Sequence, residues 1–97
     1  MGVYPMTHGH ISEDKKQRAV HRLKIIEGQV KGLSEAIERE EYCIDLLKLS
    51  LSIQRALGSL DQMLLKNHLE VHVTGQMKTS PDQATRELLE IYSLSQK

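Results

Sequence analysis

Between Tyr42 and Thr74 the chain contains no proline and carries fifteen aliphatic or methionine side chains, from Ile44 and Leu46 through Ile53 and Leu60 to Val71 and Val73. Their recurrence at three- and four-residue intervals marks one long helix. They fill more than one stripe of it, and a helix that is apolar on several sides must be buried on several sides. A chain of 97 residues forms one small domain and has too little else to cover such a helix. The pattern therefore predicts an oligomer in which this helix packs on its own chain and on a neighbouring copy.

The flanking segments fit that frame. Met1–Ile11 holds Gly2, Pro5, His8, Gly9 and His10 and reads as a flexible arm; residues 12–97 read as the single domain. Ser12 is placed to cap a first helix running from about Glu13 to Arg39, with Glu13 and Asp14 favourably set against the helix dipole. Its apolar positions are Val20, Leu23, Ile26, Val30, Leu33 and Ile37. Gly28 and Gly32, four apart, share a face that admits close approach of another backbone, each at a cost of roughly 1 kcal/mol in helix propensity. The acidic stretch Glu38, Glu40, Glu41 marks a turn without glycine or proline. The long helix is expected from near Tyr42 to near Thr74, closed by Gly75. Ser80-Pro81-Asp82-Gln83 reads as a capping box opening a third helix to about Leu94, which buries Ala84, Leu88, Ile91 and Tyr92. No segment alternates with a period of two, so the expected class is all-α.

Lys plus Arg and Asp plus Glu are equal at 13 each, so net charge selects no partner. The distribution does more. Between Lys15 and Gly32 six basic residues, Lys15, Lys16, Arg18, Arg22, Lys24 and Lys31, stand against one acid, Glu27, and the balance reverses from Glu35 to Asp45. A basic segment on a neutral chain suits double-stranded DNA met by one surface; the plain alternative is a solvated helix face. With no Trp, no Phe and three Tyr, stacking on single-stranded nucleic acid is disfavoured. The lone Cys43 forms no internal disulfide, which fits a reducing compartment. Met1–His10 lacks the apolar core of a secretory signal and no run is long enough to span a bilayer. The expectation is a cytoplasmic protein with no membrane partner.

Metal chemistry enters through Cys43, His68 and His72. Histidines four apart on a helix stand one turn apart on the same face, a ready pair of nitrogen ligands. Cys43 offers a thiolate, but 25 residues of helix rise set it about 37 Å from His68. One straight helix cannot close this site, whereas an antiparallel second copy brings its own Cys43 to the histidine pair. The plain alternatives are an inert packed cysteine and two solvent-facing histidines. His21 reads as a surface residue.

Three segments together, Arg22-Leu23-Lys24-Ile25-Ile26-Glu27-Gly28-Gln29-Val30-Lys31-Gly32-Leu33, Tyr42-Cys43-Ile44-Asp45-Leu46-Leu47 and Asn67-His68-Leu69-Glu70, resemble the CsoR/RcnR family of bacterial metal- or stress-responsive transcriptional repressors, over roughly Asp14 to Leu94. The resemblance implies a three-helix protomer, an antiparallel four-helix-bundle dimer and a disc-shaped tetramer made of two dimers. It implies operator DNA held on a basic surface and released when an inducer fills an intersubunit site. The family's thiolate position falls on Cys43 and its histidine on His68. The next ligand position falls on His72, where copper sensors usually carry cysteine and nickel or cobalt sensors histidine. Nickel-type relatives add a ligand from the arm, for which His8 and His10 are the candidates. Copper-type relatives place a tyrosine and a glutamate around the ligand histidine; Tyr42 matches the first, and Glu87 the second after a one-residue gap. Such groups orient a ligand imidazole. The balance favours Cu(I), with Ni(II) or Co(II) next and Zn(II) compatible given one added ligand. Arg22 matches a basic position used for DNA, with Lys15, Lys16, Arg18, Lys24 and Lys31 as supporting phosphate contacts. At Ser59 the family often carries a basic residue, and Arg55, one turn earlier, is the candidate substitute.

Within the same fold the alternative is a formaldehyde-responsive repressor, which usually has proline at position two where this chain has Gly2. A persulfide sensor needs a second cysteine. A helical interaction module without an inducer is the reading from another class. An enzyme is disfavoured: no phosphate loop or oxyanion motif accompanies Cys43 and His68.

Overall fold

The computed structural model describes residues 11–96. Within them the chain is helical, with α1 over Glu13–Glu38, α2 over Cys43–His68, a π-helical turn over Leu69–Val73, α3 over Thr74–Thr79 and α4 over Pro81–Ser95. No strand occurs among the described residues. The expected arm falls on residues outside this range, apart from Ile11. The described residues form two compact units, Ile11–Leu64 and residues 65–96. None of their helices is long and apolar enough to cross a membrane.

In the first unit, Ser12 caps α1 as its chemistry suggests, its hydroxyl accepting the Lys15 backbone N–H at 3.2 Å. The chain then reverses through Arg39–Tyr42. The Glu40 N–H donates to the Ile37 carbonyl (2.9 Å) and the Glu41 N–H to the Ala36 carbonyl (3.1 Å). Glu40 between them has φ of 58°. This is a Schellman closure in which glutamate occupies the left-handed position that glycine normally takes. The Arg39 guanidinium clasps the Glu41 carboxylate through two nitrogens, at 2.7 and 2.9 Å, across that bend.

The reversal sets α1 and α2 antiparallel in matched register: Arg22 and Ser59, each sixteen residues from the turn-facing end of its helix, are hydrogen-bonded. Between the helices Ala19, Ile26, Ala36, Ile53 and Leu60 are buried. Of the apolar positions read in α1, only Ile26 is buried and Leu33 half-buried; Leu23, Val30 and Ile37, each seven residues on from the last, form an exposed stripe. On α2, Ile44, Leu47 and Leu51 are exposed as well. Gly28 and Gly32 face open space among the described residues: nothing lies within 4 Å of where a Cβ would stand.

In the second unit, three expectations are corrected. Gly75 does not end the long helix. The helical path continues beyond His68 through the π-helical turn and α3, and Gly75 lies inside α3 without a positive φ. The break comes at Ser80, at φ −144° and ψ 64°, because the ring of Pro81 pushes the residue before it out of the helical region. Secondly, Ser80 makes no side-chain cap, and the Gln83 amide, expected to reach back, donates instead to Glu87. Thirdly, Ala84 is fully buried and Leu88 half-buried, but Ile91 and Tyr92 are 47% and 64% exposed. α3 packs on α4, and the distal half of α4 keeps these two side chains largely outside that contact.

Candidate metal centre and nucleic-acid interface

α2 opens at Cys43 and closes at His68. A thiol and an imidazole at the two ends of a 26-residue helix are separated by its length, about 37 Å of rise. Cys43 is exposed, and Tyr42 before it is 68% exposed. Among the described residues no three His, Cys, Asp or Glu side chains converge as a metal-holding group.

His68 and His72 do converge. Their Nδ1 atoms are 3.3 Å apart and their ring centroids 5.2 Å, with the ring planes tilted by 49°. Both side chains are half-buried. Two nitrogens bound to one metal at about 2.0–2.1 Å, with near-tetrahedral to trigonal angles, lie about 3.3–3.6 Å apart. The observed contact is a hydrogen bond between the two rings whose donor depends on their tautomers, and its length falls in that range, so the two nitrogens stand at a separation compatible with one metal once the proton between them is lost. His72 sits in the π-helical turn while His68 is the last residue of α2; turns of this kind recur at functional sites.

Glu87 lies on α4 beside this pair but does not hydrogen-bond to His68. Its Oε1 accepts from the Gln76 amide at 3.3 Å and its Oε2 from the Gln83 amide at 3.1 Å. The Gln83 donor, then the Gln76 donor, hold its carboxyl below the usual carboxylate value; His68 and Arg86 add to this through charge, and burial opposes it. The carboxylate reaches His68 through its field, while its lone pairs go to two glutamines. His8 and His10, the candidate arm ligands, lie outside the described residues.

The basic residues of α1 do not share one face. At 100° per residue, Lys15, Arg18 and Arg22 fall within about 60° of one another, while Lys24 and Lys31 stand on roughly the opposite side. Lys24 there lines a shallow groove with Lys16, Gln17, Val20 and His21. Lys16 pairs with Glu13 at 3.8 Å and Arg18 with Asp14 at 3.0 Å, both in the exposed first turns. Arg22 is half-buried and donates from Nη1 to Ser59 Oγ at 2.8 Å. Arg55, one turn before Ser59, is exposed.

Sequence reasoning treated Ser59 as a missing charge and overlooked it as a hydrogen-bond partner. Its equal offset from the turn was the available signal. The clamp on Glu87 was half legible, as the i,i+4 spacing of Gln83; Gln76 comes from across the α3–α4 break.

The model of the metal-sensitive transcriptional repressor family matches residues 15–93. The copper-sensing transcriptional repressor CsoR of Bacillus subtilis is 34% identical over 87 residues, covering 89% of this chain and 86% of that protein. The copper-sensing transcriptional repressor RicR of Mycobacterium tuberculosis is 39% identical over 69 residues, 71% of this chain and 72% of that one. CsoR of Mycobacterium ulcerans is 36% identical over 61 residues, 63% of this chain and 52% of that one. No solved structure matches the chain. With a family match across most of its length and a CsoR relative aligned over most of both chains, the chain belongs to the metal-sensitive transcriptional repressors, the CsoR/RcnR family, which are regulators and not enzymes.

Proposed function

We propose that this chain is a metal-responsive repressor whose metal-free oligomer holds operator DNA and releases it when metal fills a site shared between subunits. The ligands are Cys43 of one subunit and His68 and His72 of an antiparallel partner. The carrying observation is the histidine pair itself: two nitrogens at chelating distance, on a chain whose described residues bring no third ligand to them. The exposed apolar positions of α1 and α2 support a dimer paired through these helices, and a tetramer made from two such dimers. Thiolate and imidazole together suit Cu(I), the metal named for the relatives above. Ni(II) or Co(II) is the second reading, favoured by histidine at position 72, with His8 or His10 adding a ligand; Zn(II) suits the same donors.

The metal supplies a bridge between two subunits. The protein's own part is to hold DNA phosphates with Arg22 and the cations near it on α1, helped by Lys24, Lys31 and Arg55, and to change the relation of those surfaces when the bridge forms. Each ligand then lowers the affinity for the other by the same factor. The test is DNA binding by fluorescence anisotropy under anaerobic titration with Cu(I) and, separately, Ni(II). DNA is expected to leave the parent protein as Cu(I) saturates it and to stay on Cys43→Ala at the same free Cu(I). Equal release from both proteins sinks the assignment of Cys43.

A further inference from the structure

Of the three α1 cations that share a face, Arg22 is placed differently. Arg18 is neutralised locally by Asp14, as Lys16 on another side is by Glu13, whereas no ion pair among the described residues includes Arg22. Its one cross-helix hydrogen bond among the described residues is to a neutral group: Nη1 donates to Ser59 Oγ at 2.8 Å. A guanidinium has five N–H donors in a rigid planar fork. A hydroxyl takes one of them, fixes the plane, and leaves the charge and the remaining donors for an anion. A carboxylate in its place would fix the same plane but cancel the charge.

We infer that Ser59 is a positioning residue for Arg22, orienting its guanidinium toward a DNA phosphate. The inference rests on the repressor reading and deepens it. Ordering a long side chain before binding removes a conformational cost from the complex. The gain is on the order of three- to tenfold in affinity for one such side chain. Because the contact is exposed, its loss changes folding stability little. Threonine keeps the hydroxyl and alanine does not.

The experiment is a double-mutant cycle on full-length, metal-free protein, using the duplex that the parent itself enriches from a random library. Ser59→Ala is expected to weaken DNA binding about three- to tenfold with unchanged thermal melting and unchanged metal affinity. Ser59→Thr is expected to restore it, and Ser59→Ala to add nothing in an Arg22→Ala background. Arg22→Ala alone should also flatten the salt dependence by about one phosphate contact per bound arginine. If Arg22→Ala weakens binding and Ser59→Ala does not, or if Ser59→Ala weakens it equally with and without Arg22, the inference fails while the repressor reading stands. If neither variant alters binding, it fails likewise. Failure of the parent to enrich any duplex overturns both.

Discussion

Glu87 shows how a side chain beside a histidine pair can be tuned by neutral groups. Its two oxygens are occupied by the amides of Gln83 and Gln76, which stabilise the carboxylate and lower its pKa from 4.5. A carboxyl with a lowered folded pKa adds stability that is complete above its unfolded value and disappears as pH falls through the folded one. Glu87→Gln is therefore expected to destabilise the protein at neutral pH by about 0.5–1 kcal/mol, with solvent screening included. The gap between parent and variant should close as pH drops below 4.5. Melting temperatures of both proteins from pH 7 to pH 3 check this, and a gap independent of pH rejects it. The residue types of this neighbourhood were legible because spacing alone carries them: His68 and His72 are one turn apart, and their convergence followed. Glu87's actual partners were not, since Gln76 reaches it only after the chain has broken at Ser80 and turned back.

At the scale of elements, starts were easier to read than stops. Ser12 and Pro81 open α1 and α4 where the sequence places them, because a cap or a fixed φ acts on the residues beside it. A stop is decided by residues further along the chain. Gly75 looked like a terminator, but nothing turns the chain there, and the break waits for Pro81. The π-helical turn leaves no mark in composition, since it differs from its neighbours only in hydrogen-bond register. Two substitutions measure these features. Glu40→Gly relieves a left-handed glutamate and is expected to stabilise by about 0.5–1 kcal/mol. Gly75→Ala adds a methyl in open space within a helix and is expected to stabilise by up to about 1 kcal/mol. Urea unfolding midpoints, compared at constant slope, read both; a loss of stability at Glu40→Gly would falsify the account of the turn, and one at Gly75→Ala would mean that a neighbouring copy occupies that space.

At the scale of the molecule, the described chain is a set of helices with more apolar surface than it can bury. The long apolar stretch announced this, and Leu23, Val30 and Ile37 on α1 with Ile44, Leu47 and Leu51 on α2 display it. In the proposed dimer a two-fold axis across α2 brings the thiol that opens one copy of the helix to the histidine pair at the far end of the other, which makes two equivalent sites per dimer. That geometry makes a prediction that no single-chain site shares. Cys43→Ala and His68→Ala each remove a ligand from both sites of their own homodimer, so neither protein alone should hold metal tightly. In a mixed dimer one site loses both ligands, while the other combines an intact Cys43 with an intact histidine pair. Unfolding and refolding the two variants together at equal amounts makes half of the dimers mixed, and tight metal capacity should return to about a quarter of the parent's. Recovery of that fraction, read by thiolate-to-metal absorption against a competing chelator, places the site across the two-fold axis; no recovery from a properly mixed sample means that Cys43 and the histidine pair do not share one metal and removes the link between metal and quaternary structure on which the proposed regulation depends.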